Sequence, residues 1–168
     1  MRTNDWNTCE VNTMDNEARK KLEKKVFGDV VLALNEKDYN YSVNRGQTVD
    51  IGWGEGDDRV EMRIWASGRV LRYSCYIGDA GDEINRPRLL QSINEVNNDL
   101  SLGKIVLNEE RNYIEYLLDC PFGENTPDSG MILGMVNRAY DVTRENMGRL
   151  RADATQVKEA EARDRMFS

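Results

Sequence analysis

The segment from Asn94 to Cys120, NEVNNDLSLGKIVLNEERNYIEYLLDC, constrains the fold more than any other part of the chain. It opens on the end of an amphipathic helix, whose apolar stripe runs Leu89, Leu90, Ile93, Val96, Asn97 and Leu100. Gly103 closes the helical excursion. Ile105 and Leu107 mark a strand, Asn108 to Arg111 supply a turn, and Ile114, Tyr116 and Leu118 mark a second strand. Pro121 stops that strand, because proline cannot donate to a ladder. A helix that feeds a hairpin within so few residues leaves little freedom in how the three elements pack.

The rest of the chain follows the same grammar. Asp15 is placed to cap a helix by accepting from free backbone amides, with Glu17 at the positive end of the dipole. Leu22, Val26, Val30 and Leu34 recur at helical spacing, and the helix should end between Asn35 and Asp38. Three alternating stretches follow: Thr48 to Trp53, Arg59 to Ala66 and Arg69 to Ile77. Turn residues at Gly54–Asp57 and Ala66–Gly68 join them into a meander. Asn85 or Arg86 precedes Pro87, a favoured opening residue for the middle helix. A last helix begins between Thr126 and Ser129, and its stripe includes Ile132, Val136, Ala139, Met147 and Leu150. Met131, Met135 and Met147 read as core rather than as a binding stripe.

The fold class expected is α+β, in the order α-β-β-β-α-β-β-α. A five-stranded antiparallel sheet should carry its helices packed on one face, with the first and last helices near each other. The 168 residues amount to one domain. Residues 1–14 read as a flexible arm and 15–150 as the domain. Residues 151–168, RADATQVKEAEARDRMFS, favour helix by propensity but offer little to bury, so they read as a charged helical or frayed tail.

Charge and composition exclude several function classes. A net charge of −7 repels phosphate backbones and anionic lipid heads, so neither nucleic acid nor a membrane is expected as a partner. The opening MRTNDWNTCEVNTM lacks an apolar core segment, so no secretory leader is expected and a cytoplasmic location is. Cys9, Cys75 and Cys120 form neither a CxxC pair nor a metal-ligand pattern and read as reduced thiols. The chain has no histidine, which removes Ser-His-Asp and Cys-His catalytic designs and histidine metal sites.

The remaining candidates weigh toward structure. Gly52-Trp53-Gly54-Glu55-Gly56 precedes a strand and carries carboxylates beside it, so it reads as a hairpin rather than a phosphate cradle. Asp79, Asp82 and Glu83 lack the spacing of a calcium loop and read as a solvated turn. Glu61 and Glu115 fall among polar neighbours on the exposed sheet face, with Arg63 and Arg72 as cross-strand partners. Asn97, on the apolar stripe, reads as an amide that satisfies carbonyls at the helix end or in the loop into the next strand, rather than as a ligand contact. No catalytic residue, cofactor or metal is expected.

The aromatic residues carry the functional expectation. Trp65 and Tyr76 fall on the polar face of their strands, and Tyr113 falls opposite Ile114 and Tyr116. Aromatics on an otherwise wet sheet face mark an interface, or a surface that the charged C-terminal helix covers.

The element order, together with Ile93-Asn94-Glu95-Val96-Asn97, Lys104-Ile105-Val106-Leu107 and Tyr113-Ile114-Glu115-Tyr116, resembles the YbjN family of bacterial proteins, labelled sensory transduction regulators. The resemblance covers Glu17 to Leu150. It implies a fold similar to the type III secretion chaperones, which are small acidic cytosolic dimers, and it implies a homodimer. The expected function is non-enzymatic binding or regulation of a protein or peptide partner, with Trp65, Tyr76 and Tyr113 as contact residues. Two alternatives stand beside it: a secretion-chaperone-like role on an effector segment, and a small carboxylate- or cation-dependent enzyme.

Overall fold

The computed structural model describes residues 15–155, and in them three α-helices pack on one face of a six-stranded antiparallel sheet. Helix α1 (Asn16–Glu36) buries Val26, Val30, Ala33 and Leu34, the face that the apolar spacing marked out. Asp15 stands at its N-cap, but the side chain makes no capping bond. Only its carbonyl takes part, accepting from the Arg19 amide at 2.9 Å. Glu23, on the third turn, accepts from the Gly68 amide at 2.7 Å and ties α1 to a sheet turn.

The sheet has one strand more than the sequence pattern indicated. Strand β1 (Tyr41–Asn44) precedes β2 (Thr48–Trp53), β3 (Val60–Ser67) and β4 (Val70–Asp79) in an antiparallel meander. Four residues followed by a turn hold too little alternation to signal a strand alone. Pairing with β2, from Tyr41 opposite Ile51 to Asn44 opposite Thr48, creates it.

After β4, helix α2 (Arg86–Asp99) leads to β5 (Lys104–Asn108), and the hairpin returns as β6 (Tyr113–Pro121). The spatial order is β1-β2-β3-β4-β6-β5, so the hairpin turns back to lay β6 against β4. Gly103 allows that turn. Its φ is +72°, and a Cβ there would meet the Tyr116 hydroxyl at 2.4 Å and the Leu117 carbonyl oxygen at 2.7 Å. Asn97 locks the geometry from the other side: its Nδ2 donates to the Ile105 carbonyl at 2.9 Å, and its Oδ1 accepts from the Ile105 amide at 2.7 Å. One side-chain amide thus satisfies both outward backbone groups of an edge-strand residue.

Helix α3 (Ser129–Thr155) opens on Asp128, whose Oδ1 accepts from the Met131 amide at 2.7 Å. It lies over β4 and β6 between the other two helices, and α1 and α3 are in contact as expected. Period-two alternation sorts the strands cleanly: Val49, Ile51, Met62, Ile64, Tyr73, Ile114, Tyr116 and Leu118 are all buried beneath the helices. Trp53 joins them at the rim, edge-on to Tyr39 and Tyr140 with ring centroids 5.9 and 5.2 Å away. Met147 is buried, and Met131 and Met135 pack against the core.

Helix α3 continues past Leu150, where the pattern marked the domain's end. Asp153 and Ala154 are buried. Asp153 accepts from Ser92 Oγ at 2.6 Å and from Arg88 Nε at 3.1 Å, which joins the end of α3 to α2. Asn85 Nδ2 donates to the Ala154 carbonyl at 2.9 Å. The N-terminal arm with Cys9, and the tail from residue 156 onward, lie outside the described residues.

Candidate partner-binding site

The face of the sheet turned away from the helices collects the side chains that alternation excluded from the core. Register aligns them in rows across the strands. One row runs from Asp50 through Arg63 and Ser74 to Leu117. The next runs from Gly52 through Glu61 and Tyr76 to Glu115 and Val106. Trp65 stands opposite Arg72 in a third. Directly opposed side chains of this kind lie about 5 Å apart at their Cβ atoms, so each row is a continuous chemical surface.

The polar groups of this face are held in place by one another. Arg63 forks onto Asp50, with Nε and Nη2 donating to the two carboxylate oxygens at 2.8 and 3.0 Å. That bond holds the guanidinium pKa above its ordinary value. Asn44, on the edge strand, also donates to Asp50. Arg72 faces Asp119 at 3.6 Å, and Arg59 pairs with Glu61 at 2.9 Å. Glu115 departs from the sequence expectation: it stands on the open face, yet it is only 8% exposed. Ser74 Oγ donates to its Oε2 at 2.6 Å and Asn108 Nδ2 donates to its Oε1 at 3.2 Å. Neighbours 41 and 7 residues away in the chain cover it, contacts that strand alternation cannot register.

Trp65, Tyr76 and Tyr113 all stand on this face, each half-buried. The structure brings two of them together. The Tyr76 and Tyr113 rings meet edge to face, with centroids 5.7 Å apart and planes at 62°. The Tyr76 hydroxyl donates to Asp79 Oδ1 at 2.8 Å. Burial first, and then Asp79, push its pKa up to about 12, which keeps it a donor. Trp65 sits in a different row.

Two shallow depressions shape the face, of about 660 and 880 Å³. Arg63, Ser74 and Tyr113 line both; Tyr76 and Glu61 line the first, and Trp65, Arg72 and Glu115 the second. Among the described residues, α3 keeps to the opposite face, so the part of the C-terminal helix seen here does not cover the aromatics.

Asp79, Asp82 and Glu83 do not assemble into a site. Asp79 ends β4 and serves Tyr76, Asp82 precedes a 3₁₀ turn, and Glu83 opens that turn. Among the described residues, no group of three His, Cys, Asp or Glu side chains is arranged to hold a metal ion. The Gly52–Gly56 stretch ends β2 and opens the β2–β3 connection, where Gly54 and Gly56 take positive φ. Cys75 and Cys120 are buried free thiols. No described helix is long and apolar enough to cross a membrane.

These features define an α+β protein with a helix-covered and a helix-free sheet face. That fold is shared with known structures, as the sequence resemblance implied. The crystal structure of YbjN from E. coli, a candidate transcription regulator, superimposes with a TM-score of 0.58 at 11% identity, covering 76% of this chain and 90% of that one. A chain of the HopA1–SchA chaperone–effector complex superimposes with a TM-score of 0.51 at 12% identity, covering 79% of this chain and 95% of that one. No family model and no curated protein sequence matches the chain.

Proposed function

We propose that this chain is a non-enzymatic protein-binding or regulatory protein of the YbjN type, and that its helix-free sheet face receives a segment of a polypeptide partner. The observation that carries this reading is the combination on one face of half-buried Trp65, Tyr76 and Tyr113 with polar groups already fixed by internal bonds. Rigid aromatics give contact area at small entropic cost, and prearranged polar groups spare the ordering that binding otherwise demands. The likeness in fold to a candidate regulator and to a chain of a chaperone–effector complex supports a protein partner. The absence of histidine from the sequence supports a non-enzymatic role.

The secretion-chaperone-like alternative draws on the second of these structures; a gene for an effector or a secretion apparatus beside this one would favour it. We propose a cytoplasmic location on the grounds of composition. We also propose a homodimer, which the family resemblance implies and to which exposed Leu32, Val43, Ile84, Leu90 and Leu102 offer apolar surface. Sedimentation equilibrium should return a mass near twice 19.3 kDa, and the monomer mass at every concentration would contradict it. For the binding face, Trp65→Ala and Tyr113→Ala should each lose at least about 1–2 kcal/mol of partner affinity while the fold still melts cooperatively well above the assay temperature. Equal retention of partner by wild type and both variants would overturn the reading.

A further inference from the structure

We infer that Arg151, on the helix-covered side of the sheet, is a positioning residue for the Tyr76–Tyr113 pair on the open side, and that it acts through a β-bulge in β4. The inference rests on the protein-binding reading, which makes that pair a contact surface, and adds the residue that aims it.

The register reveals the bulge. Between β4 and β6 the pair Tyr76–Glu115 is followed by Gly78–Ile114, so β4 advances two residues while β6 advances one. Ile77 is the extra residue, and none of the pairs that β4 makes with β3 or β6 includes it. Strict alternation would put Tyr76 and Asp79, three residues apart, on opposite faces of the sheet. The extra residue resets the phase, and Asp79 comes to stand opposite Tyr113. Only then can the Tyr76 hydroxyl donate to Asp79 Oδ1, at 2.8 Å, while its ring meets Tyr113 with centroids 5.7 Å apart. The tyrosine pair is therefore a product of the bulge.

Arg151 reaches the inner side of this bulge from α3. Its Nε donates to the Ile77 carbonyl, and its Nη1 donates to the carbonyl of Asp57 in the β2–β3 connection. Its stem lies against Gly78, where a Cβ would meet Arg151 Cγ at 2.8 Å and Nε at 3.1 Å. One guanidinium thus satisfies the carbonyl of the residue that both ladders pass over, and ties it to a second loop. Its charge is felt at the Tyr76 hydroxyl, where it opposes the upward push of burial and of Asp79.

The two sides of the bulge are anchored separately. Before it, Tyr76 pairs with Glu61 of β3. Beyond it, the Ala80 amide donates to the Asn112 carbonyl at 2.9 Å, and Asn112 Nδ2 donates to the Gly81 carbonyl at 3.2 Å. Between these anchors, Ile77 and Gly78 form the joint, and Arg151 is what holds it from the helix side. A joint that relaxes turns Tyr76 away from Tyr113, because an edge-to-face contact depends on both distance and angle.

The test uses the full chain with isotope-labelled tyrosine and tryptophan rings. It reads two ring contacts by nuclear Overhauser effect: Tyr76–Tyr113 on the open face and Trp53–Tyr140 on the covered one. Arg151→Ala should abolish the first and keep the second. Gly78→Ala, whose Cβ displaces the arginine stem from the other direction, should do the same. Ser92→Ala, which cuts the bond from α2 to Asp153 two residues further along α3, should keep both. A tyrosine contact that survives in Arg151→Ala would overturn the inference; should that variant not fold, survival in Gly78→Ala would do so. Loss of the contact in Ser92→Ala as well would overturn it too, since any loosening of α3 would then suffice. Both contacts are read in the free chain, so the positioning role can fail while partner binding through Trp65 and Tyr113 stands. Conversely, a partner retained equally by wild type, Trp65→Ala and Tyr113→Ala would sink the binding reading and leave the ring result untouched.

Discussion

Asn97 shows how much one side chain decides. Its amide mimics a neighbouring strand, giving to and taking from the backbone of Ile105 in two bonds. Removing it would leave an N–H and a C=O of the edge strand unpaired, so Asn97→Ala should cost about 2 kcal/mol and lower the melting temperature by roughly 5 °C in a thermal scan. An unchanged midpoint would show that water replaces the amide without loss. The freed edge should also make the variant more prone to associate through β5. The donation to a carbonyl was legible in the sequence, because an asparagine on an apolar helical stripe needs a backbone partner; the bond accepted from the Ile105 amide was not, since it depends on where the edge strand lies. The burial of Glu115 was not, since alternation places a residue on a face but says nothing of the Ser74 and Asn108 side chains that fold over it. Asp15 illustrates the opposite error: it occupies a capping position without capping, while Asp128 caps α3.

Among the elements, helices and long strands followed from periodicity, whereas β1 did not, because its four residues become a strand only through β2. The end of α3 is the other element that local pattern leaves ambiguous. The stretch after Leu150 is charged and alanine-rich, which hides its tertiary role. Arg151 donates to the carbonyls of Ile77 and Asp57, Asp153 anchors Ser92 and Arg88, and the Ala154 carbonyl receives Asn85. Gly81 makes room for it, since a Cβ there would meet the Ala154 carbonyl oxygen at 2.2 Å. A chain ending at Leu150 should therefore lose about 2–4 kcal/mol of stability, measured by urea unfolding. Equal midpoints for the full and shortened chains would mean that these contacts contribute nothing net.

At the scale of the whole molecule, one sheet serves two purposes. Its covered face holds the core, and that core resists ionisation. Burial pushes the Cys75 thiol up to about 12 and raises the Tyr73 hydroxyl too. Both groups keep their protons in the folded state at a pH where the unfolded chain gives them up. The stabilisation is complete below pH 9.0, the ordinary value of the thiol, and is lost as pH rises toward about 12. Stability measured from pH 8 to 11 should fall, and Cys75→Ala should flatten part of that slope. A slope unchanged by the substitution would remove Cys75 from the account. The open face is the half on which we propose that the partner lies. Its location was legible from strand alternation, and so were its aromatics, but the rows that set Tyr76 between two carboxylates required the register.

The central claim is that a partner polypeptide lies on this open face. A photo-crosslinking amino acid in place of Trp65, and another in place of the exposed Lys25 of α1, tests it most directly. Irradiated in a lysate of the native cells, the chain carrying the label at 65 should yield a discrete crosslinked protein, other than a second copy of this chain, that the chain labelled at 25 does not. That product should be reduced by Tyr113→Ala. The same product from both positions, or from position 25 alone, would contradict the account.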